Sequence, residues 1–179
     1  FQVSELTDEI REDLVGVLLV QALMRFKLGH FDAAAELATQ VLDLADSSTG
    51  TNLVTLSTRG NLHWMIGCAE GVRGDTGNQY MHFLKAQEMF TQVVIEEPHD
   101  LESQLRLAAV LLTLAQGHHE AGESDEMILC LEKANRISSM LVLLEEEESR
   151  LRLLPLWQEL ESGWLAVGRS DEAYDAAHQ

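Results

Sequence analysis

Residues 14–34 read LVGVLLVQALMRFKLGHFDAA, and this stretch decides the fold. Leu14, Val17, Leu18 and Ala22 form one apolar stripe at helical spacing, and Val15, Leu19, Leu23 and Phe26 form a second. A helix apolar on two faces needs cover on two faces. An isolated helical hairpin leaves one face wet, whereas a row of hairpins, or a bound ligand, buries both. Gly29 then supplies the positive φ that ends a helix tightly. Phe31 opens the next helix, and Ala34 is small enough to let two backbones approach.

The same signature recurs outward from there. Gly122 is followed by Ser124 and Met127, and Gly168 by Ser170 and Ala173. Period and punctuation predict eight helices in four pairs. The first runs from a Thr7 cap to about Leu28, with Asp8 and Glu9 in its positive first turn, and the second from Phe31 to about Ala45. The polar cluster 46–50 follows, and a third helix starts near Asn52 and ends at Gly71 to Gly74. Residues 75–78, Asp-Thr-Gly-Asn, read as a loop, and a fourth helix spans about Gln79 to Glu96 before Pro98. Asp100 caps a fifth that reaches Ala121, and Ser124 caps a sixth that fades near Ser139. A seventh runs from about Leu143 to Val167, and Ser170 caps the eighth. The repeats fall at roughly 8–46, 52–98, 100–139 and 143–179, in a single domain spanning 1–179.

The chain has 179 residues, with 12 basic and 30 acidic side chains and a net charge of −18. Apolar residues make up 46%, which excludes disorder. The negative surface repels phosphates, so no nucleic acid is expected as a ligand. Cys68 and Cys130, isolated and in helical contexts, read as reduced thiols of a cytoplasmic or nuclear protein, with a single secreted disulfide as the alternative. The longest apolar run, residues 14–24, is too short to span a membrane. A start at Phe1 without Met reads as a segment of a longer protein.

At this point the chain resembles the tetratricopeptide repeat (TPR) family, whose pattern is W-x2-L-G-x2-Y, then A-x3-F, then P, over 34 residues. The fourth pair carries Trp157-x2-Leu160, Trp164 in the aromatic place, Gly168 and Ala173. The second carries Ala86-x3-Phe90, Pro98 and Gly67. The first fits at Leu18, Ala22, Gly29, Phe31 and Ala34, and the third at Leu107, Ala108, Leu111, Gly122, Leu131 and Ala134. Gln21, Arg25, Glu161 and Met127 depart from the pattern. The small positions 34, 86, 127 and 173 are separated by 52, 41 and 46 residues, so the repeats read as lengthened, the second by a loop at 75–78.

The resemblance implies an all-α, right-handed α-solenoid that binds a protein partner along its first-helix row. The implied lining is Leu19, Leu23, Phe26 and Lys27, then Asn61, Trp64, Cys68 and Val72. The third pair adds Leu105, Ala109, Leu112 and Thr113, and the fourth Gln158, Ser162 and Leu165. An amphipathic helix or extended apolar peptide suits such a row, with Phe26 and Trp64 as aromatic anchors. Basic flanks of that partner would meet the acidic ends of the chain, where residues 1–50 and 145–179 each carry 9 acidic and 3 basic side chains. The run Glu145 to Glu148 reads more simply as a solvated helix start. With only Lys27 in reach, the carboxylate clamp of chaperone-binding TPR domains is not expected.

The expected function is a scaffold or adaptor within a larger assembly; the competing expectation is a chaperone or cargo receptor shielding a partly basic client. No catalytic, metal or cofactor residues are expected. His118, His119, Glu120 and Glu123 form the one metal-like cluster, but adjacent helical histidines diverge by about 100°. Only His119 and Glu123 are expected to share a face, and two ligands make a poor zinc site. The glycine-rich 71–77 segment follows a helix, not a strand, and lacks the phosphate-binding lysine of a P-loop.

Overall fold

The structure, a computed structural model, describes residues 8–47, 54–142 and 147–178. The expected Thr7 cap, the helix start near Asn52 and the first half of the Glu145–Glu148 run fall outside these residues. The described residues form eight helices: α1 Asp8–Lys27, α2 Phe31–Asp46, α3 Leu56–Arg73, α4 Thr76–Glu96, α5 Leu101–Ala121, α6 Ser124–Val142, α7 Glu147–Ala166 and α8 Ser170–Ala177. The chain divides into two compact units, Phe1–Met89 and Phe90–Gln179, with the boundary inside α4.

In the first unit α2 packs against both α1 and α3. Its alanines, Ala34, Ala35, Ala38 and Ala45, are buried and keep the interhelical gaps narrow, while Val41, Leu42 and Leu44 fill the core beside Val15, Ala22, Leu62, Met65 and Ile66. Gly67 of α3 brings α4 in close, since a Cβ there would sit 2.8 Å from the Phe83 ring. In the second unit α5 packs on α6 and α7, and α7 on α8. Leu107, Leu111, Leu114, Leu131, Leu160 and Trp164 are buried there. Pro155 sits inside α7 with its ring exposed, where the missing N–H removes one helical hydrogen bond.

Four identical turns join the helices of each pair. Gly29, Gly74, Gly122 and Gly168 have φ of 75–79°, and no other described residue has a positive φ. In each, the glycine N–H donates to the carbonyl three residues back, and the next N–H donates to the carbonyl five residues back, as in Glu123 to His118 at 2.8 Å. This double closure satisfies carbonyls that the helix end would leave open. The next helix begins two residues after each glycine, so the chain reverses within a few residues.

The turns correct the sequence reading of the second pair. Residues 75–78 are no loop: α4 starts at Thr76, and Asp75 caps it by accepting from the Asn78 backbone N–H at 3.0 Å and from Asn78 Nδ2 at 2.9 Å. The position equivalent to Ala34, Met127 and Ala173 is therefore Gln79, not Ala86, and the turn glycines recur at a steady 45, 48 and 46 residues. Gly71 makes room for the larger side chain, because a Cβ there would lie 2.5 Å from Gln79 Nε2. Helix α3 starts at Leu56, and Thr55 caps it by accepting from the Thr58 N–H. One further detail differs. Ser124 and Ser170 are the first helical residues rather than caps, because the caps directly follow the glycines. Asp100 caps α5 as expected, accepting from the N–H groups of Glu102 and Ser103.

Helix α1 departs from the two-covered-face reading. Val15 and Ala22 are buried, and Leu18, Leu19 and Phe26 are half-buried, but Leu14 and Val17 face solvent. One stripe is core, and the opposite side of the helix is apolar and exposed.

Candidate functional site

In the first unit Phe26 is the hinge of an aromatic cluster. Its ring meets Phe31 edge-on at 5.2 Å between centroids and Trp64 at 5.0 Å. This contact joins the α1 row to the α3 row named from the sequence. Leu19, Phe26 and Trp64 are half-buried and rest on the core, so each has one side committed to packing. Leu23 and Lys27 continue the α1 row into solvent, Asn61 and Cys68 are half-buried on α3, and Val72 is exposed. Arg73 fixes the end of α3 to α2 through Asp32 at 2.7 Å, and Arg59 does the same at the other end through Asp46 at 2.6 Å.

In the second unit α5 and α7 line two adjoining depressions. The larger, about 470 Å³, is walled by Leu112, Thr113 and Gln116 of α5, Met127 and Leu131 of α6, and Glu159, Ser162, Gly163 and Ala166 of α7. The smaller, about 270 Å³, is walled by Glu102, Leu105, Arg106 and Ala109 of α5 and by Pro155, Leu156 and Glu159 of α7. Leu105, Ala109, Leu112 and Thr113 thus share one face, as their spacing implies. Gly163 sets the depth: a Cβ there would come 2.6 Å from Leu131 Cδ2, so α7 sits close on α6.

On α7 the expected row is turned by one residue. Ser162 lines the larger depression, but Gln158 is exposed outside both and Leu165 points to solvent. Glu159 takes the place assigned to Gln158 and is common to both depressions. Its carboxylate keeps contact with water by area, yet the walls around it withdraw solvent and push its pKa above the ordinary carboxylate value. The signal was present in the sequence: Leu156, Leu160, Trp164 and Gly163 fix which side of α7 is inward, and Glu159 follows from it.

No group of three or more His, Cys, Asp or Glu residues among the described residues is placed to hold a metal. Within the candidate cluster it is His118, not His119, that meets Glu123, with Nδ1 to Oε2 at 2.7 Å. The helix has ended at Ala121, so helical spacing no longer decides which side chains meet. Cys68 is half-buried and Cys130 buried, with no disulfide, and burial pushes the Cys130 thiol up. No helix among the described residues is long and apolar enough to cross a membrane.

These paired helices, closed by one repeated turn, define the class: an all-α, TPR-like helical-repeat fold of the α-solenoid kind. Two solved structures share the fold. The chain is similar to BtubC (BKLC) from P. vanneervenii with a TM-score of 0.66 and 16% identity, over 90% of this chain and 59% of that one. It is similar to MamA with a TM-score of 0.51 and 15% identity, over 90% of this chain and 73% of that one. A thermophilic TPR protein of Thermus thermophilus, TTC0263, aligns at 0.40 and 16% identity, over 90% and 87%. The first two likenesses concern the fold alone, and the chain spans 59% of the length of BtubC. No family model matches the chain. No curated protein matches it either.

Proposed function

We propose that the α5–α7 groove of the second unit receives a partner polypeptide, either an amphipathic helix or an extended apolar segment, within a larger assembly. The supporting observation is the run of two adjoining depressions with Leu105, Ala109 and Leu112 along one wall and a partly desolvated Glu159 at their junction. Apolar walls supply affinity, and a partly desolvated carboxylate favours a Lys or Arg opposite it. In the first unit Leu23, Trp64 and Cys68, beside Leu19, Phe26 and Lys27, offer a second contact row of the same character. The −18 charge favours a partner with basic flanks. Two isolated thiols favour the cytoplasm or nucleus as the setting.

A library of apolar peptides with and without basic residues, selected on the chain, tests this reading. Selected peptides are expected to carry an apolar i, i+3/i+4 pattern with one basic residue. Their affinity is expected to fall at least about tenfold for Ala109→Glu, while Glu159→Gln removes only the basic preference. Selected peptides that bind folded Ala109→Glu as well as the parent would remove the groove from the proposal. The second reading, a receptor for a partly basic client, follows from the acidic surface alone. It predicts affinity that collapses between low and high salt, whereas groove binding responds weakly.

A further inference from the structure

The exposed side of α1 carries a row of apolar side chains. Ile10, Leu14, Val17, Met24 and Leu28 follow one another at alternating steps with Gln21 among them, and Val20 lies alongside. These six aliphatic and thioether side chains are between 36 and 67% exposed. The steps are 4, 3, 4, 3 and 4 residues along positions 10, 14, 17, 21, 24 and 28. That is the seam of a two-stranded coiled coil, which takes apolar residues every 3.5 positions on average. The seam lies opposite the face formed by Val15, Leu18, Ala22 and Phe26, which packs inward.

We propose that this seam pairs with the same seam of a second copy of the chain, the two α1 helices running antiparallel. The charges along α1 choose both the partner and its direction. Asp13, exposed near the start of the seam, and Lys27, exposed at its end, lie on the same flank. Antiparallel pairing centred at residue 19 sets Ile10 against the copy's Leu28, Leu14 against its Met24 and Val17 against its Gln21. The same pairing brings each Asp13 to the other copy's Lys27, giving two symmetric ion pairs. On the other flank Arg25 comes opposite position 11 of the copy, where Arg11 is buried against its own unit. A parallel pair would instead set acidic ends together and basic ends together. Gln21, the single polar residue in the row, comes opposite Val17 of the copy, at some cost in stability. The side chains offer roughly 600 Å² of apolar surface per copy, so pairing hides on the order of 1,200 Å², the lower edge of the range for specific interfaces.

Sedimentation velocity of the chain between about 1 and 200 µM tests the pairing, since an interface of this size gives micromolar dissociation. The expected result is a reversible monomer–dimer equilibrium. Val17→Glu with Met24→Glu is expected to abolish the dimer with an unchanged helical circular dichroism spectrum. Lys27→Glu is expected to weaken it at least about threefold, and Asp13→Lys with Lys27→Glu to restore it. The charge variants lie at the surface and remain informative even where the apolar double variant fails to fold. A chain that stays monomeric at the highest concentration overturns the proposal. So does a dimer indifferent to Val17→Glu with Met24→Glu, or one in which the charge exchange fails to rescue Lys27→Glu.

Discussion

The Nδ1 atoms of His63 on α3 and His82 on α4 lie 3.0 Å apart, a distance that requires one proton between the two rings. Two protonated rings could not share it. Burial first, then the His82 ring and the charges of Lys85 and Arg59, lower the His63 pKa to about 4, against a smaller opposing pull from Asp46. His82 is also lowered, first by burial and then by Lys85, with Glu70 opposing. A histidine with a lowered folded pKa binds fewer protons folded than unfolded. Its contribution is therefore whole above the unfolded value near 6.5 and drains away as pH falls towards 4. Chemical denaturation across that window is expected to show a loss on the order of 1–3 kcal/mol beyond that of a His63→Asn variant. Parallel curves for the two proteins would contradict the pairing. Glycines give a second test at this scale. Gly67→Ala pushes a methyl to 2.8 Å from Phe83 and is expected to cost about 1–3 kcal/mol. Gly117→Ala, in a helix interior with open space around it, is expected to gain about 0.5–1 kcal/mol.

Among the elements, α5 forms one wall of the second unit's depressions and depends on its cap. Asp100 accepts from Glu102 N–H at 3.1 Å and Ser103 N–H at 3.4 Å, while Gln104 Nε2 donates to the Pro98 carbonyl from the same turn. Asp100→Ala is expected to lower stability by about 1 kcal/mol, with Asp100→Asn or Asp100→Ser recovering most of it in thermal melts. How far each element could be read from the sequence depends on what its residues also favour. Asp100 followed by an apolar period is a helix start and nothing else, so α5 was legible from its first residue. Asp75-Thr76-Gly77-Asn78 has the composition of a loop and equally that of a helix cap. Only the left-handed Gly74 and the Asn78 contacts to the Asp75 carboxylate decide between them. On α7 a one-residue error is a rotation of about 100°, enough to exchange Gln158 for Glu159 in the groove while leaving every helix boundary intact. The exposed seam of α1 was visible as apolar sequence, but whether a stripe faces core or solvent is set by its neighbours.

The −18 charge acts over the whole molecule. Among the described residues the ion pairs with Arg include Arg59–Asp46, Arg73–Asp32, Arg73–Glu70, Arg106–Glu102, Arg169–Glu132 and Arg169–Glu172. All lie at the surface, where solvent screens them and each adds little. With 30 acidic side chains against 12 basic ones, most carboxylates meet other carboxylates at long range. Added salt screens both kinds of interaction, but the repulsions outnumber the pairs and act over longer distances, so they lose more. The melting temperature is therefore expected to rise by a few degrees between about 10 and 150 mM NaCl, where the Debye length falls from ~30 to ~8 Å. A melting temperature that falls over this range would mean that the ion pairs outweigh the surplus charge. The same surplus would then give no reason to expect a basic partner, because the native fold would already have balanced its own field.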